Sequence, residues 1–285
     1  MAERRHAPAK LNLYLHVLGR RDDGYHLLDS LVAFCEIGDE IIAEPASQLS
    51  LAIRGPHAVG LQEPVDENLV WRAAALLAAH VGRSPDAALT LVKRLPVASG
   101  IGGGSSDAAA TLRALVALWR IDLDDAGLAM LGARLGADVP VCLARRVSWL
   151  GGIGDRIEPA PPLPPVTALL VNPEIVLPTA AVFKARQGAF SGPARFDGAV
   201  PDAGALAALL ATRRNDLTAA ATALLPAIGE VLERLAALDG ALIARMSGSG
   251  ATCFALFATP AAAEAAALEL RRERPGWWVA AGKLF

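Results

Sequence analysis

Hydrophobic and polar positions alternate from residue 9 to residue 17, with Leu11, Leu13, Leu15 and Val17 on one side and Lys10, Asn12, Tyr14 and His16 on the other. Period two predicts a strand with one buried face, and it sets Lys10 and Asn12 side by side on the opposite face. The polar run Gly19-Arg-Arg-Asp-Asp-Gly24 reads as a turn. Further short strands are expected over 27–44, 48–54 and 89–95, the last ended by Pro96. Over 68–81 the spacing becomes helical, with Leu69, Ala73, Leu76, Leu77 and His80 on one stripe. Helices are also predicted over 107–119 and 124–135. Later in the chain come a strand over 166–171 and a largely helical stretch over 202–238. Short strands over 241–246 and 252–258 flank a Gly/Ser turn, before a helix over 261–274 and a strand over 277–281.

Strands and helices alternate irregularly, so the expected class is α+β rather than a regular βαβ series. Five prolines fall between residues 159 and 165, a run that fits neither helix nor central strand. It marks the expected boundary between an N-terminal lobe, 1–160, and a C-terminal lobe, 161–285.

Composition narrows the function classes. Apolar residues are 53% and charged residues 20%, which excludes a disordered chain. The formal charge of −2 leaves no basic excess to displace counterions, so no nucleic-acid partner is expected. Cys35, Cys142 and Cys253 form no C-x-x-C, and H-E-x-x-H is absent, so neither a zinc site nor a redox dithiol is expected. They read as reduced thiols of a cytoplasmic protein. The longest uncharged run, 246–263, is broken by Gly248, Gly250 and Pro260, and the basic N-terminus lacks an apolar stretch. No membrane span or signal segment is expected.

The strongest chemical signal is Pro96-Val-Ala-Ser-Gly-Ile-Gly-Gly-Gly-Ser-Ser106, four of its glycines lying within five positions. A Gly-rich loop running into a helix offers free N–H groups and the positive end of the helix dipole, an anion site suited to phosphate. It is not a Walker loop or a dinucleotide fingerprint, because Ser105 follows Gly104. The same residues also fit a plain connection with Ser105 or Ser106 capping the helix. Ser247-Gly-Ser-Gly-Ala-Thr252 reads first as a β-turn, and Asp138 in Gly136-Ala-Asp138-Val-Pro140 as a turn residue. Lys10 is open to two readings as well, a solvated outward face or part of a site.

In their order along the chain, Ala7-Pro-Ala-Lys10-Leu-Asn12-Leu, the Pro96–Ser106 loop and Ser247–Thr252 resemble the three motifs of the galactokinase, homoserine, mevalonate and phosphomevalonate (GHMP) kinase superfamily. Arg20-Arg-Asp-Asp-Gly-Tyr25-His26, Glu67-Asn68-Leu69, Leu135-Gly-Ala-Asp138-Val-Pro140 and Asn215-Asp216-Leu narrow the likeness to the 4-diphosphocytidyl-2-C-methyl-D-erythritol kinase family of the non-mevalonate isoprenoid route. The resemblance covers nearly the whole chain and is thinnest over 187–208.

It implies a two-lobed α+β GHMP-kinase-type fold of mixed sheets with helices. The active site would lie in the cleft between an ATP-binding lobe, 1–160, and a substrate-side lobe, 161–285. It implies ATP and Mg²⁺ as cofactors and a small-molecule substrate phosphorylated on its 2-hydroxyl. Gly100, Ile101, Gly102, Gly103, Gly104, Ser105 and Ser106 would wrap the ATP phosphates. Pro96, Val97, Ala98 and Ser99 would form the approach, and Asn68 and Leu69 would lie near the adenine. Asp138 would sit beside the acceptor hydroxyl, with Lys10 beside Asp138 as its catalytic partner. Asn12, Tyr25, His26, Thr179, Phe183 and Lys184 would hold the substrate, its cytosine stacked between Tyr25 and Phe183. Ser105 or Ser106 would offer Mg²⁺ an oxygen, while no acidic metal ligand is identified. A kinase for another alcohol such as homoserine, or a non-catalytic nucleotide-binding relative, are the competing readings. The aromatic groups argue against an amino-acid substrate, which gives them no base to hold.

Overall fold

The computed structural model describes residues 1–61 and 64–285. The chain opens with two long strands, β1 (Glu3–Arg20) and β2 (His26–Pro45), followed by β3 (Ser50–Arg54), α1 (Leu69–His80) and β4 (Ala87–Val92). Next come α2 (Gly103–Trp119), α3 (Asp125–Leu135), α4 (Val139–Ala144), β5 (Ser148–Gly151) and β6 (Arg156–Pro159). The remainder runs β7 (Thr167–Asn172), α5 (Thr179–Ala185), α6 (Ala203–Ala211), α7 (Thr218–Leu224), α8 (Ala227–Ala236), β8 (Ile243–Met246), β9 (Cys253–Phe257), α9 (Pro260–Glu273) and β10 (Trp278–Lys283). This is the expected α+β class.

The chain divides into two compact units, and no single cut separates them. The first comprises 1–9, 38–97 and 102–145; the second comprises 10–37, 98–101 and 146–285. The proline run at 159–165 therefore lies inside the second unit, away from the boundary expected at 160. The reason is topological: β1 and β2 each contribute residues to both units, a sharing that local composition does not reveal.

In the first unit β4 lies between β3, paired parallel, and the 40–45 end of β2, paired antiparallel. Side chains alternate along β4, with Leu89 and Leu91 pointing into the core, as period two demands. Side-chain oxygens start two of its helices: Asn68 accepts from Val70 N–H in α1, and Asp124 from Gly127 N–H in α3. The buried stripe of α1 is Val70, Ala73, Ala74, Leu77 and Ala78, and His80 is exposed. It is rotated from the expected one because nearly every α1 residue is apolar, so the sequence pattern admits several faces.

In the second unit the four-stranded antiparallel sheet runs β10-β7-β9-β8. The central strands β7 and β9 are buried at every position, which explains their unbroken apolar runs. Leu169, Val171, Cys253, Ala255 and Phe257 from this sheet join Val231 and Leu235 of α8 and Ala263, Ala267 and Leu270 of α9 in one core. Residues 30–32 of β2 pair with β5, which pairs with β6. Strands β5 and β6 and helices α4 and α5, each of only 4–7 residues, were not expected from the periodicity. Elements that short carry too few positions for a period to emerge.

The three cysteines are reduced and buried, as expected. Among the described residues no helix is long and apolar enough to cross a membrane.

Candidate active site

Both faces of β1 are buried where one was expected to be solvated. Lys10 is 5% exposed, Asn12 3%, Tyr14 0% and His16 8%, which removes the reading of Lys10 as a solvated surface residue. A buried polar group is tolerated only when hydrogen-bonded. Asn12 Nδ2 donates to Ser30 Oγ at 2.8 Å, the Tyr14 hydroxyl donates to Asp29 at 2.9 Å, and His16 Nδ1 meets Gly192 O at 2.9 Å. Burial, reinforced by the Asp29 charge, pushes the Tyr14 phenol far above its ordinary value, so it remains a donor.

This strand gathers the sequence motifs within the second unit. Lys10 N–H donates to Ile101 O at 2.9 Å, and Thr252 N–H to Ser99 O at 3.1 Å. Ser247 Oγ accepts from Asn12 N–H at 3.1 Å and donates to Gly100 O at 3.2 Å. Gly100 sits at φ +74°, and a Cβ there would lie 2.5 Å from Gly250 O, so only glycine lets the two turns approach so closely. Asn215 Nδ2 donates to Met246 O and Gly248 O, both at 2.8 Å, and fixes the second turn from below its ends. Ser247–Thr252 is thus more than a β-turn: it clamps the stretch 98–101 against β1.

The other half of the glycine loop belongs to the first unit. Gly102, at φ +65°, precedes α2 without supplying a side-chain cap. Ser106 N–H donates to Gly102 O at 2.9 Å and is spoken for. The N–H groups of Gly103, Gly104 and Ser105, the first turn of α2, have no backbone acceptor among the described residues. Free N–H groups at a helix start are the kind of donors an anion needs. Leu69, beside the N-cap Asn68 of α1, lies 3.4 Å from where a Gly104 Cβ would be, so Asn68, Leu69 and this helix start come together. Pro96 is buried, Val97 half-buried and Ala98 exposed at φ +51°.

Sequence reasoning missed what lies under that helix start. Lys93 Nζ bonds Asp39 at 2.5 Å and Asp107 at 2.9 Å, and all three side chains are closed to water. Asp39 also accepts from the N–H groups of Arg94 and Leu95. The network ties β2 and the end of β4 to α2 just past its first turn. A Cβ on Gly103 would point at Lys93 Nζ, 3.1 Å away, so a side chain there presses on this network rather than reaching outward to a ligand.

Two carboxylates share one ammonium, and the third charge is hard to keep in a dry site. Burial, with the Asp39 charge adding and Lys93 opposing, pushes the Asp107 carboxyl up to about 7. Burial pulls Lys93 down, but Asp107 and Asp39 outweigh it and hold the ammonium above its ordinary value. An unfolded aspartate titrates near ~3.9. From there up to about 7 the folded state holds a proton that the unfolded chain has released, so this contribution to stability is lost as pH rises through that window. Urea midpoints at about pH 5 and about pH 8 should therefore fall more in the wild type than in Asp107→Asn. Equal falls in both proteins would contradict the assignment.

The substrate-side residues lie in the second unit. Tyr25 is 60% exposed and is not a core residue. His26 rather than Tyr25 stacks on Phe183, ring centres 5.1 Å apart and planes 28° from parallel. Burial, then the charges of Arg20 and Arg186, lower the His26 pKa, so the ring is neutral at neutral pH. Thr179 Oγ1 meets Ser249 Oγ at 2.8 Å, joining the start of α5 to the clamp, while Lys184 at the end of α5 is exposed. Asp138, in the first unit, is half-buried at the start of α4, where its side chain caps no backbone N–H.

Comparison with known proteins matches residues 68–146 to the GHMP kinases N terminal domain and residues 198–275 to the GHMP kinases C terminal family. A 4-diphosphocytidyl-2-C-methyl-D-erythritol kinase from Rhodospirillum rubrum is 54% identical over 278 residues, covering 98% of this chain and 91% of the relative. The kinase of the same name from Ruegeria pomeroyi is 50% identical over the full length of both chains. A crystal structure of 4-(cytidine 5'-diphospho)-2C-methyl-D-erythritol kinase superposes with a TM-score of 0.79 at 38% identity, covering 99% of this chain and 98% of that one. A homoserine kinase from Cytophaga hutchinsonii shares the fold alone, with a TM-score of 0.73 at 16% identity, covering 99% of this chain and 94% of that one.

Proposed function

This chain belongs to the 4-diphosphocytidyl-2-C-methyl-D-erythritol kinases of the GHMP kinase superfamily, and on that premise we propose that it transfers the γ-phosphoryl group of ATP to the 2-hydroxyl of that substrate. The observation that carries the reading is the clamp in the second unit. There the Lys10–Asn12 strand, the stretch 99–101 and the Ser247–Thr252 turn are bonded to one another. These bonds bring three motifs far apart in sequence to one place in the second unit, which supports their serving one site.

Phosphoryl transfer asks a protein for positioning and charge stabilisation more than for covalent chemistry. The N–H groups of Gly103, Gly104 and Ser105 hold the phosphates, with Asn68 and Leu69 against the adenine. Asp138 takes the proton of the acceptor hydroxyl. Lys10 stabilises charge, either by keeping Asp138 ionised or by easing the hydroxyl's ionisation. The cytosine takes the place of the His26 ring against Phe183 and stacks between it and Tyr25, while His26, neutral and able both to donate and to accept, turns to read its edge. Asn12, Thr179 and Lys184 hold the remainder of the substrate.

Mg²⁺ supplies charge neutralisation on the phosphates when bound. It keeps several waters and needs few protein oxygens. Ser105, half-buried on the first turn of α2, is the hydroxyl suited to it. Ser106 is not, because it faces arginines.

A coupled ADP-release assay with the diphosphocytidyl alcohol and with homoserine tests the proposal. Turnover of the first alone is expected; turnover of homoserine, or of neither, overturns it. Within the same reading, Tyr25→Ala should weaken the diphosphocytidyl substrate about tenfold, the lower part of the 1–3 kcal/mol that stacking on a base contributes. ATP affinity should stay within about twofold. Because Tyr25 is exposed, its melting temperature should barely move. Equal weakening of both ligands would remove Tyr25 from the substrate pocket.

A further inference from the structure

The first unit contains a cleft of mixed apolar and basic lining that the mechanism does not use. It lies between α2, the end of α4 and the start of β1, and at rest it encloses about the space of one water. Arg5, Arg113, Arg145 and Ser106 line it, and no carboxylate does. Ser106 and Arg113 share one face of α2, two turns apart.

Two features mark it as unfinished. Ser106 is 1% exposed, yet its Oγ has no hydrogen-bond partner among the described residues. Arg145 has no carboxylate partner among the described residues, although Arg5 bonds Glu3 and Arg113 bonds Asp125 and Leu143 O. Burial, then the nearby Arg113 charge, pulls the Arg145 guanidinium below its ordinary value. The cleft therefore gathers three guanidinium groups, of which Arg145 faces no carboxylate, beside a waiting hydroxyl.

We propose that this cleft binds a phosphoryl group, held by the guanidinium forks of Arg145, Arg113 and Arg5 and by the Ser106 hydroxyl. One bidentate arginine satisfies a carboxylate, whereas several forks converging with a hydroxyl suit an anion with three or more terminal oxygens. The cleft is narrow at rest, and Arg5 and Arg113, each about one-third exposed, have room to swing outward as the anion enters. The ligand is free phosphate or the phosphate of a small metabolite, and the site stands whichever alcohol the kinase phosphorylates.

Calorimetric titration of the full chain, saturated with a non-hydrolysable ATP analogue, tests this. Inorganic phosphate should bind the analogue-loaded protein, and Arg145→Gln should weaken it by about tenfold or more. The ATP KM and kcat of that variant should remain within about twofold of wild type. If Arg145→Gln fails to fold, Arg5→Gln must show a weakening in the same direction. Pyrophosphate and glycerol phosphate in parallel titrations separate free phosphate from a phosphorylated metabolite, the tighter binder naming the source. Absence of phosphate binding once the analogue is bound, or an unchanged phosphate Kd in both variants, overturns the proposal.

Discussion

Replacing Asp138 by asparagine is expected to lower kcat by about 10²–10⁴-fold while the Kd for ATP stays unchanged, since a positioned acid–base group contributes about that much to proton transfer. The amide keeps the shape of the carboxylate but cannot take a proton from the acceptor hydroxyl. Asp138 caps no helix N–H, so α4 does not depend on its charge for capping. Pre-steady-state measurement of the transfer step together with an ATP titration separates the outcomes. Near-normal turnover with collapsed ATP affinity would show that Asp138 belongs to the nucleotide rather than to the hydroxyl.

Lys93→Met is expected to be the most destabilising single change near the glycine loop. It leaves Asp39 and Asp107 buried together without their shared cation, and breaking a buried ion pair from one side costs about 3–5 kcal/mol. Because Asp107 follows directly on the first turn of α2, the loss also loosens the N–H groups of Gly103 to Ser105, so ATP affinity should fall with stability. Urea unfolding and an ATP titration on the same preparation check both effects. A variant that loses under about 1 kcal/mol and binds ATP normally would mean the network does not hold the loop.

How far these features were legible before any coordinates differs from residue to residue. The strand at 9–17, the helix after Asn68 and the glycine loop were readable because period and turn chemistry are local properties. Lys10 and Asn12 were assigned to the correct face of their strand, but not the burial of that face, because the partners Ser30 and Ser247 are distant in sequence. The Lys93 network was invisible for the same reason: Asp39 is 54 residues away and Asp107 is 14. The likeness to known kinases was thinnest over 187–208, of which 187–202 forms neither helix nor strand. That segment is irregular, held instead by bonds from Gly192 to His16 and from Ala194 and Arg195 to Asp29. The Asn215-Asp216 pair did carry a signal, since both side chains bond distant backbone, Asn215 the 246–248 turn and Asp216 the Val17 N–H.

The central claim is the transfer of a phosphoryl group from ATP to a hydroxyl of the diphosphocytidyl alcohol. Phosphorus-31 NMR of a reaction containing the enzyme, ATP, Mg²⁺ and that alcohol reads it directly. One new phosphomonoester resonance should grow in step with ADP while the diphosphate resonances of the alcohol persist. Growth of ADP with free phosphate alone, or breakdown of the diphosphate linkage to release a cytidine nucleotide, would contradict it.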